Sequence, residues 1–147
     1  MAETQVHEML IHTTPQKLWD ALTNHEVTKQ YFFGESIVSD WKKGSSWHSL
    51  GSSGSRDVEG TVLEVAAPRR LVLTWQVLYD PDLRDEQSRV TYEIDQRGDL
   101  CKLTVRHELA RAPKTANHVA NGWGIVLAGL KTLLETGRPM PMPEPAV

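Results

Sequence analysis

The chain has 147 residues, enough for one domain with a real core, and its 39% hydrophobic and 24% charged content is that of an ordinary globular protein. A net charge of −3 and the lack of any Lys/Arg block exclude the electrostatic footprint expected for nucleic acid or a membrane surface. A single cysteine, Cys101, excludes an intrachain disulfide and a thiolate metal cluster. It fits a reducing, cytoplasmic compartment, and no apolar run is long enough for a signal segment or a membrane span.

Gln5 to His12 reads as a first strand with His7, Met9 and Ile11 on one face and Val6 and Leu10 on the other. Thr14-Pro15 then opens a short helix, the hydroxyl capping and the proline at the first helical position, with Leu18, Trp19 and Leu22 as its apolar side. A further helical turn follows over Asn24 to Lys29, and then an aromatic knot, Tyr31-Phe32-Phe33-Gly34. From Glu35 to His107, alternation and turn chemistry predict antiparallel strands near 35–40, 45–50, 56–66, 70–79, 88–96 and 100–109. Leu71, Leu73, Trp75 and Val77 share one face, as do Val90, Tyr92 and Ile94, and then Cys101, Leu103, Val105, His107 and Leu109. Thr91, Glu93, Lys102 and Thr104 point the other way, so one side of the sheet is wet and the other covered. Gln96-Arg97-Gly98-Asp99 is a hairpin turn, and Tyr79 to Ser88 an acidic, mobile loop.

Thr115 to Gly137 is the covering element. Val119, Trp123, Val126, Leu127, Leu130, Leu133 and Leu134 fall on one helical stripe; Thr115 is the expected cap, and Gly137 with Arg138-Pro139 the stop. Gly122, Gly124 and Gly129 inside it each cost about 1 kcal/mol relative to Ala, offset either by a close backbone approach or by space for a ligand. The last ten residues, 138–147, hold four of the eight prolines and read as an extended tail. The expected organisation is one domain over 1–137 and a Pro-rich tail over 138–147.

The fold expected is α+β: a curved antiparallel sheet wrapped around a long C-terminal helix, with two short helices after the first strand. IHTTPQKLWDALTN, KGSSWHSL, EGTVLEVAAPRRLVLTWQ, SRVTYEID and GWGIVLAGLKTLLE, in that order, resemble the START-like (SRPBCC, helix-grip) superfamily. More narrowly they resemble the activator of heat-shock protein 90 ATPase homologues. The resemblance implies a cavity between sheet and helix. It does not imply one activity, because the superfamily includes carriers, cyclases, hydrolases and regulatory domains.

Trp19, Trp47, Trp75 and Trp123 all fall on predicted inward faces, with Phe32 where the short helices close one end. The expected ligand pocket is Trp19, Phe32, Trp47, Trp75, Tyr92, His107, Trp123 and Leu127, with Gly60 and the helix glycines leaving the gap, and an apolar or aromatic molecule as ligand. His107 stands where the alternation calls for Val or Leu. It is the one catalytic candidate, as an acid or base, against the plainer reading of a satisfied core histidine. The six histidines lack metal-ligand spacing, and no nucleophile elbow or phosphate loop is present, so neither metal nor cofactor is expected. A non-enzymatic binding domain is the leading expectation. The alternatives are a cyclase- or hydrolase-type enzyme using His107, and a protein-interaction or chaperone-regulating module; a twofold homodimer is compatible with its size.

Overall fold

A computed structural model describes residues 3–141, apart from the side chain of Ala120. The strands are β1 (Thr4–Ile11), β2 (Ser36–Ser39), β3 (Ser46–Leu50), β4 (Arg56–Ala66), β5 (Arg70–Val77), β6 (Ser88–Arg97) and β7 (Leu100–Glu108). The helices are α1 (Pro15–Thr23), α2 (His25–Thr28) and α3 (Pro113–Thr136). The strands form one antiparallel sheet in the order β1-β7-β6-β5-β4-β3-β2, so every neighbour after the β1 jump is a neighbour in sequence. Register shifts between His48 and Leu50 and between Val62 and Glu64 are bulges, and bulges bend and twist the strands that carry them. The sheet thereby curves around α3.

Alternation sorts the two faces as the sequence predicts, except that Thr91, expected on the wet face, is buried there beside Val72. Leu71, Leu73, Trp75, Val90, Tyr92, Leu103, Val105 and His107 are buried on the inner face. The outer face carries an ion-pair ladder in which Arg70 bridges Glu64 and Glu93, while Arg89 pairs with Glu108. On β1, Val6 and Leu10 are exposed and Ile11 is buried, again as expected. The open edge of β1 is occupied by α3: Lys131 donates to the Leu10 carbonyl at 2.7 Å, and the His12 N–H donates to Glu135 at 2.8 Å. Covering an edge in this way removes a template for unwanted strand pairing.

Thr14 caps α1 by accepting from the Lys17 N–H, and Gly137 ends α3 in the left-handed conformation at φ 78°, both as read. Thr115 is not the cap of α3. Pro113 takes the first helical position, Ala112 is the capping residue, and it offers no side-chain bond. Glu86, from the β5–β6 connection, does the work from a distance. It accepts from the Thr115 N–H at 2.8 Å, the Thr115 hydroxyl at 2.9 Å and the Lys114 N–H at 3.2 Å. That connection is therefore pinned, contrary to the expected mobile loop. It contains a 3-10 turn, Pro81–Leu83, whose Leu83 is buried, and Arg84 donates back to the Leu78 carbonyl at 2.8 Å. The strands before and after this region stop at Val77 and Glu108, short of the expected 79 and 109. Most of the Pro-rich tail lies outside the described residues.

The helix glycines separate into different cases. A methyl group on Gly124 would meet nothing within 4 Å, and one on Gly122 would meet only the Phe33 ring, at 4.0 Å. Close packing therefore does not offset their helix cost. Gly124→Ala is expected to stabilise the fold by about 1 kcal/mol. In thermal denaturation the melting temperature should rise by about 2–4 °C; an unchanged or lower value would show that this position is constrained in the native state.

Candidate functional site

Between the sheet and α3 lies a connected cluster of rings. Trp47 from β3 and Trp75 from β5 have centroids 4.9 Å apart, and Trp75 lies 5.7 Å from Trp123 of α3. Phe32, from the turn after α2, meets Trp123 edge-on at 5.8 Å and Trp75 at 6.0 Å, while Tyr92 of β6 meets Trp123 at 6.0 Å. Such tilted and edge-to-face contacts are the favoured aromatic geometries. Of the residues expected at the pocket, Phe32, Trp47, Trp75, Tyr92, His107 and Trp123 are joined through these rings; Trp19 and Leu127 are buried in the same core. Gly60 leaves no gap. Its missing side chain admits the Trp47 indole, whose N–H donates to the Thr74 carbonyl at 2.9 Å, and a methyl group there would collide with that carbonyl. The rings thus pack on one another. Two shallow concavities lie on the charged outer face, one of about 280 Å³ beside Arg70, Arg89, Thr91 and Arg106.

His107 is fully buried and both of its ring nitrogens are engaged. The Trp123 indole N–H donates to Nδ1 at 3.0 Å, and because an indole only donates, Nδ1 must be the accepting nitrogen. Nε2 then carries the proton and donates to the Ser88 hydroxyl at 2.7 Å, which passes its own hydrogen to the Trp75 carbonyl at 3.2 Å. Burial, with a smaller contribution from nearby His7, lowers the imidazole pKa to about 4. The ring is neutral, and both of its nitrogens are taken up by hydrogen bonds within the protein.

A second group of titratable side chains gathers where the α2–β2, β3–β4 and β5–β6 connections approach α3. Glu35 and Asp57 direct carboxylate oxygens at one point beside Gly51: a methyl group on that glycine would lie 3.1 Å from Glu35 Oε2 and 2.7 Å from Asp57 Oδ2. Ser55 holds the other Asp57 oxygen at 2.9 Å. Desolvation and the hydrogen bond with Asp57 raise the Glu35 pKa to about 7, against a smaller lowering by Ser49. Glu35 thus takes up its proton near neutrality. Nearby, the Tyr79 hydroxyl is hydrogen-bonded to Nε2 of His118 on α3. Sequence reading missed this group, because its members are scattered over Glu35, Asp57, Tyr79 and His118 and no local spacing connects them.

A profile of the activator of Hsp90 ATPase homolog 1-like proteins matches residues 12–135, from the end of β1 to the last turn of α3. The chain belongs to this family. Solved structures agree on the fold. CalU16 from Micromonospora echinospora superposes with a TM-score of 0.74 at 20% identity, covering 92% of this chain and 78% of that one. A Cytophaga hutchinsonii protein gives 0.72 at 27% identity over 90% and 93% of the two chains. An HSP90 activator from Plasmodium falciparum gives 0.72 at 20% over 89% and 95%. No curated protein matches the sequence.

The helix-grip fold of this family places the ring cluster, the His107 relay and the Glu35–Asp57 pair around one helix. Among the described residues no three His, Cys, Asp or Glu side chains are grouped to hold a metal, and no helix is long and apolar enough to cross a membrane. Two outcomes follow from the site geometry. In ¹⁵N NMR the His107 ring should show the Nε2–H tautomer and stay neutral down to about pH 5; titration near its ordinary 6.5 would overturn the relay. Trp123→Phe, which orphans Nδ1, should cost about 1–3 kcal/mol in denaturant unfolding. Glu35 behaves oppositely with pH. Its folded pKa is raised, so its contribution to stability is fully present below about 4.5 and is lost as the pH climbs through about 7. Glu35→Gln should therefore flatten the decline of melting temperature between pH 6 and 8, and an unaltered pH profile would count against the raised Glu35 pKa.

Proposed function

We propose that the protein binds a small apolar or aromatic molecule, taken up between the sheet and the N-terminal half of α3, without catalysing a reaction on it. The observation that carries this reading is the ring cluster of Phe32, Trp75, Tyr92 and Trp123 lying under a helical segment with two unpacked glycines and no side-chain cap of its own. A ligand enters by displacing that segment and stacking among the rings it exposes. The softness at Gly122 and Gly124, otherwise a loss, is what such displacement requires. Ligand binding is common in this family, which supports the same reading. The saturation of His107 speaks against the cyclase or hydrolase alternative. The chaperone-regulating alternative draws on the family name and the Plasmodium relative rather than on a feature of this chain. We place the protein in the cytoplasm on the strength of its lone buried Cys101.

The test is intrinsic tryptophan fluorescence and thermal stability against a panel of aromatic and lipid-like molecules. A ligand present at 100 times its dissociation constant should stabilise by about 2.7 kcal/mol, which raises the melting temperature by roughly 5–11 °C, and should quench Trp75 and Trp123. Gly124→Ala should slow its association while leaving the fold intact. If no member of the panel shifts either signal, the binding reading is wrong.

A further inference from the structure

Among the described residues three buried side-chain atoms have no hydrogen-bond partner: Gln5 Oε1, His7 Nε2 and Glu35 Oε1. Glu35 belongs to the carboxyl pair already described. The other two stand at successive inward positions of β1, Gln5 opposite His107 and His7 opposite Val105 on β7. Two residues along one face of a strand are about 7 Å apart at their backbones, so the two side chains are neighbours on that face. Gln5 and His7 are half-buried, but these two atoms are not reached by water. An orphaned buried polar atom costs about 1–3 kcal/mol, and two on one face of β1 call for a partner.

The chemistry of that partner is set by the two atoms. Gln5 cannot be turned around: its Nε2 donates to the Ala116 carbonyl of α3 at 3.0 Å, a group that only accepts, so Oε1 is the orphan and it needs a donor. His7 is kept neutral at pH 7, since burial lowers its pKa. Its Nε2 accepts or donates according to tautomer. A carboxylate would set its oxygens against the Gln5 carbonyl. An ammonium ion would lie buried without a carboxylate partner, because the neighbouring acidic residue on β1, Glu8, is exposed and paired with Lys102. A neutral hydroxyl satisfies both atoms, donating to Gln5 and pairing with His7. The same Gln5 is fastened to α3 at Ala116, a bond that re-forms once the ligand is in place and keeps Oε1 turned toward it.

We propose that Gln5 and His7 form a hydroxyl-receiving subsite at the β1 edge of the interior, and that the ligand class is a neutral phenol or aromatic alcohol whose ring lies against Trp123. This rests on the binding function proposed above. The probes are 2-naphthol and its near-isostere 2-methylnaphthalene, with 2-naphthoate as the charged control, titrated by NMR at pH 7. The naphthol should bind about five- to tenfold more tightly than 2-methylnaphthalene, and the naphthoate no more tightly than it. His7→Leu should erase that advantage and leave 2-methylnaphthalene binding unchanged; Gln5→Met, which also frees the Ala116 carbonyl, should erase the advantage whatever it does to 2-methylnaphthalene. Should either variant fail to fold, the wild type decides: the His7 ring ¹⁵N resonances should move with 2-naphthol and stay still with 2-methylnaphthalene. Equal affinity for the two, an advantage that survives both substitutions, or a complex in which a water bridges Gln5 and His7 would overturn the subsite while leaving the apolar site standing. Binding of neither probe would overturn the subsite and, with the wider panel, the binding function itself.

Discussion

The hydrogen-bond relay from the Trp123 indole through His107 and Ser88 to the Trp75 carbonyl is the constraint on which the interior depends. It joins α3, β7, β6 and β5 through side chains that all lie in apolar surroundings. An unpaired imidazole there would cost more than its hydrogen bonds return, so every partner must be present at once. Apolar packing alone would let α3 slide or rotate over the sheet at little cost. The relay permits one rotation of the helix, the one that brings Trp123 over His107, and the Trp75 and Tyr92 rings then close around it.

Helix α3 is held differently along its length. Its C-terminal half buries Val126, Leu127 and Leu130 and is tied to the β1 backbone by Lys131 and Glu135, a firm attachment of apolar area and charged hydrogen bonds. Ahead of Trp123 the N-terminal part is held by a few single hydrogen bonds: the Glu86 carboxylate at Thr115 and Lys114, Tyr79 against His118, and Gln5 at the Ala116 carbonyl. The glycines at 122 and 124 subtract from the stability of this part. Local opening is therefore cheapest at the end of the helix that covers the rings.

How much of this was legible in the sequence follows from the range of each interaction. The strands, the inward faces of β5 to β7, the Thr14 and Gly137 caps and the apolar stripe of α3 are written in spacings of two, three and four residues, and they were readable. The same holds for the family, since its motifs run in order along the chain. The true cap of α3 was not readable, because Glu86 lies 29 residues from Thr115 and reaches it only once the sheet is folded. Gly60 read as a gap because sequence shows that a side chain is missing but not that the Trp47 indole, from the neighbouring strand, takes its place. His107 was singled out correctly as the polar residue on an apolar face; that Trp123 and Ser88 complete it is a tertiary fact. The Glu35–Asp57 pair is of the same kind, two carboxyl groups brought together by a loop and a strand.

The two interior titrating sites pull stability in opposite directions over the same pH window. His107 stays neutral when folded but charges near 6.5 when unfolded, so as pH falls from about 6.5 to 4 the unfolded chain binds the extra proton and stability is lost. Glu35 takes up its proton in the folded state near pH 7 and in the unfolded chain near 4.5, so over that interval falling pH adds stability. Between about 4.5 and 6.5 these two contributions oppose one another. They also act at different places. His107 anchors the centre of α3 through Trp123, whereas Glu35 and Asp57 sit near the Tyr79–His118 contact at its N-terminal end. Acid therefore weakens the grip on the rings while firming the loops around the helix start, so the place where α3 is held most tightly shifts with pH.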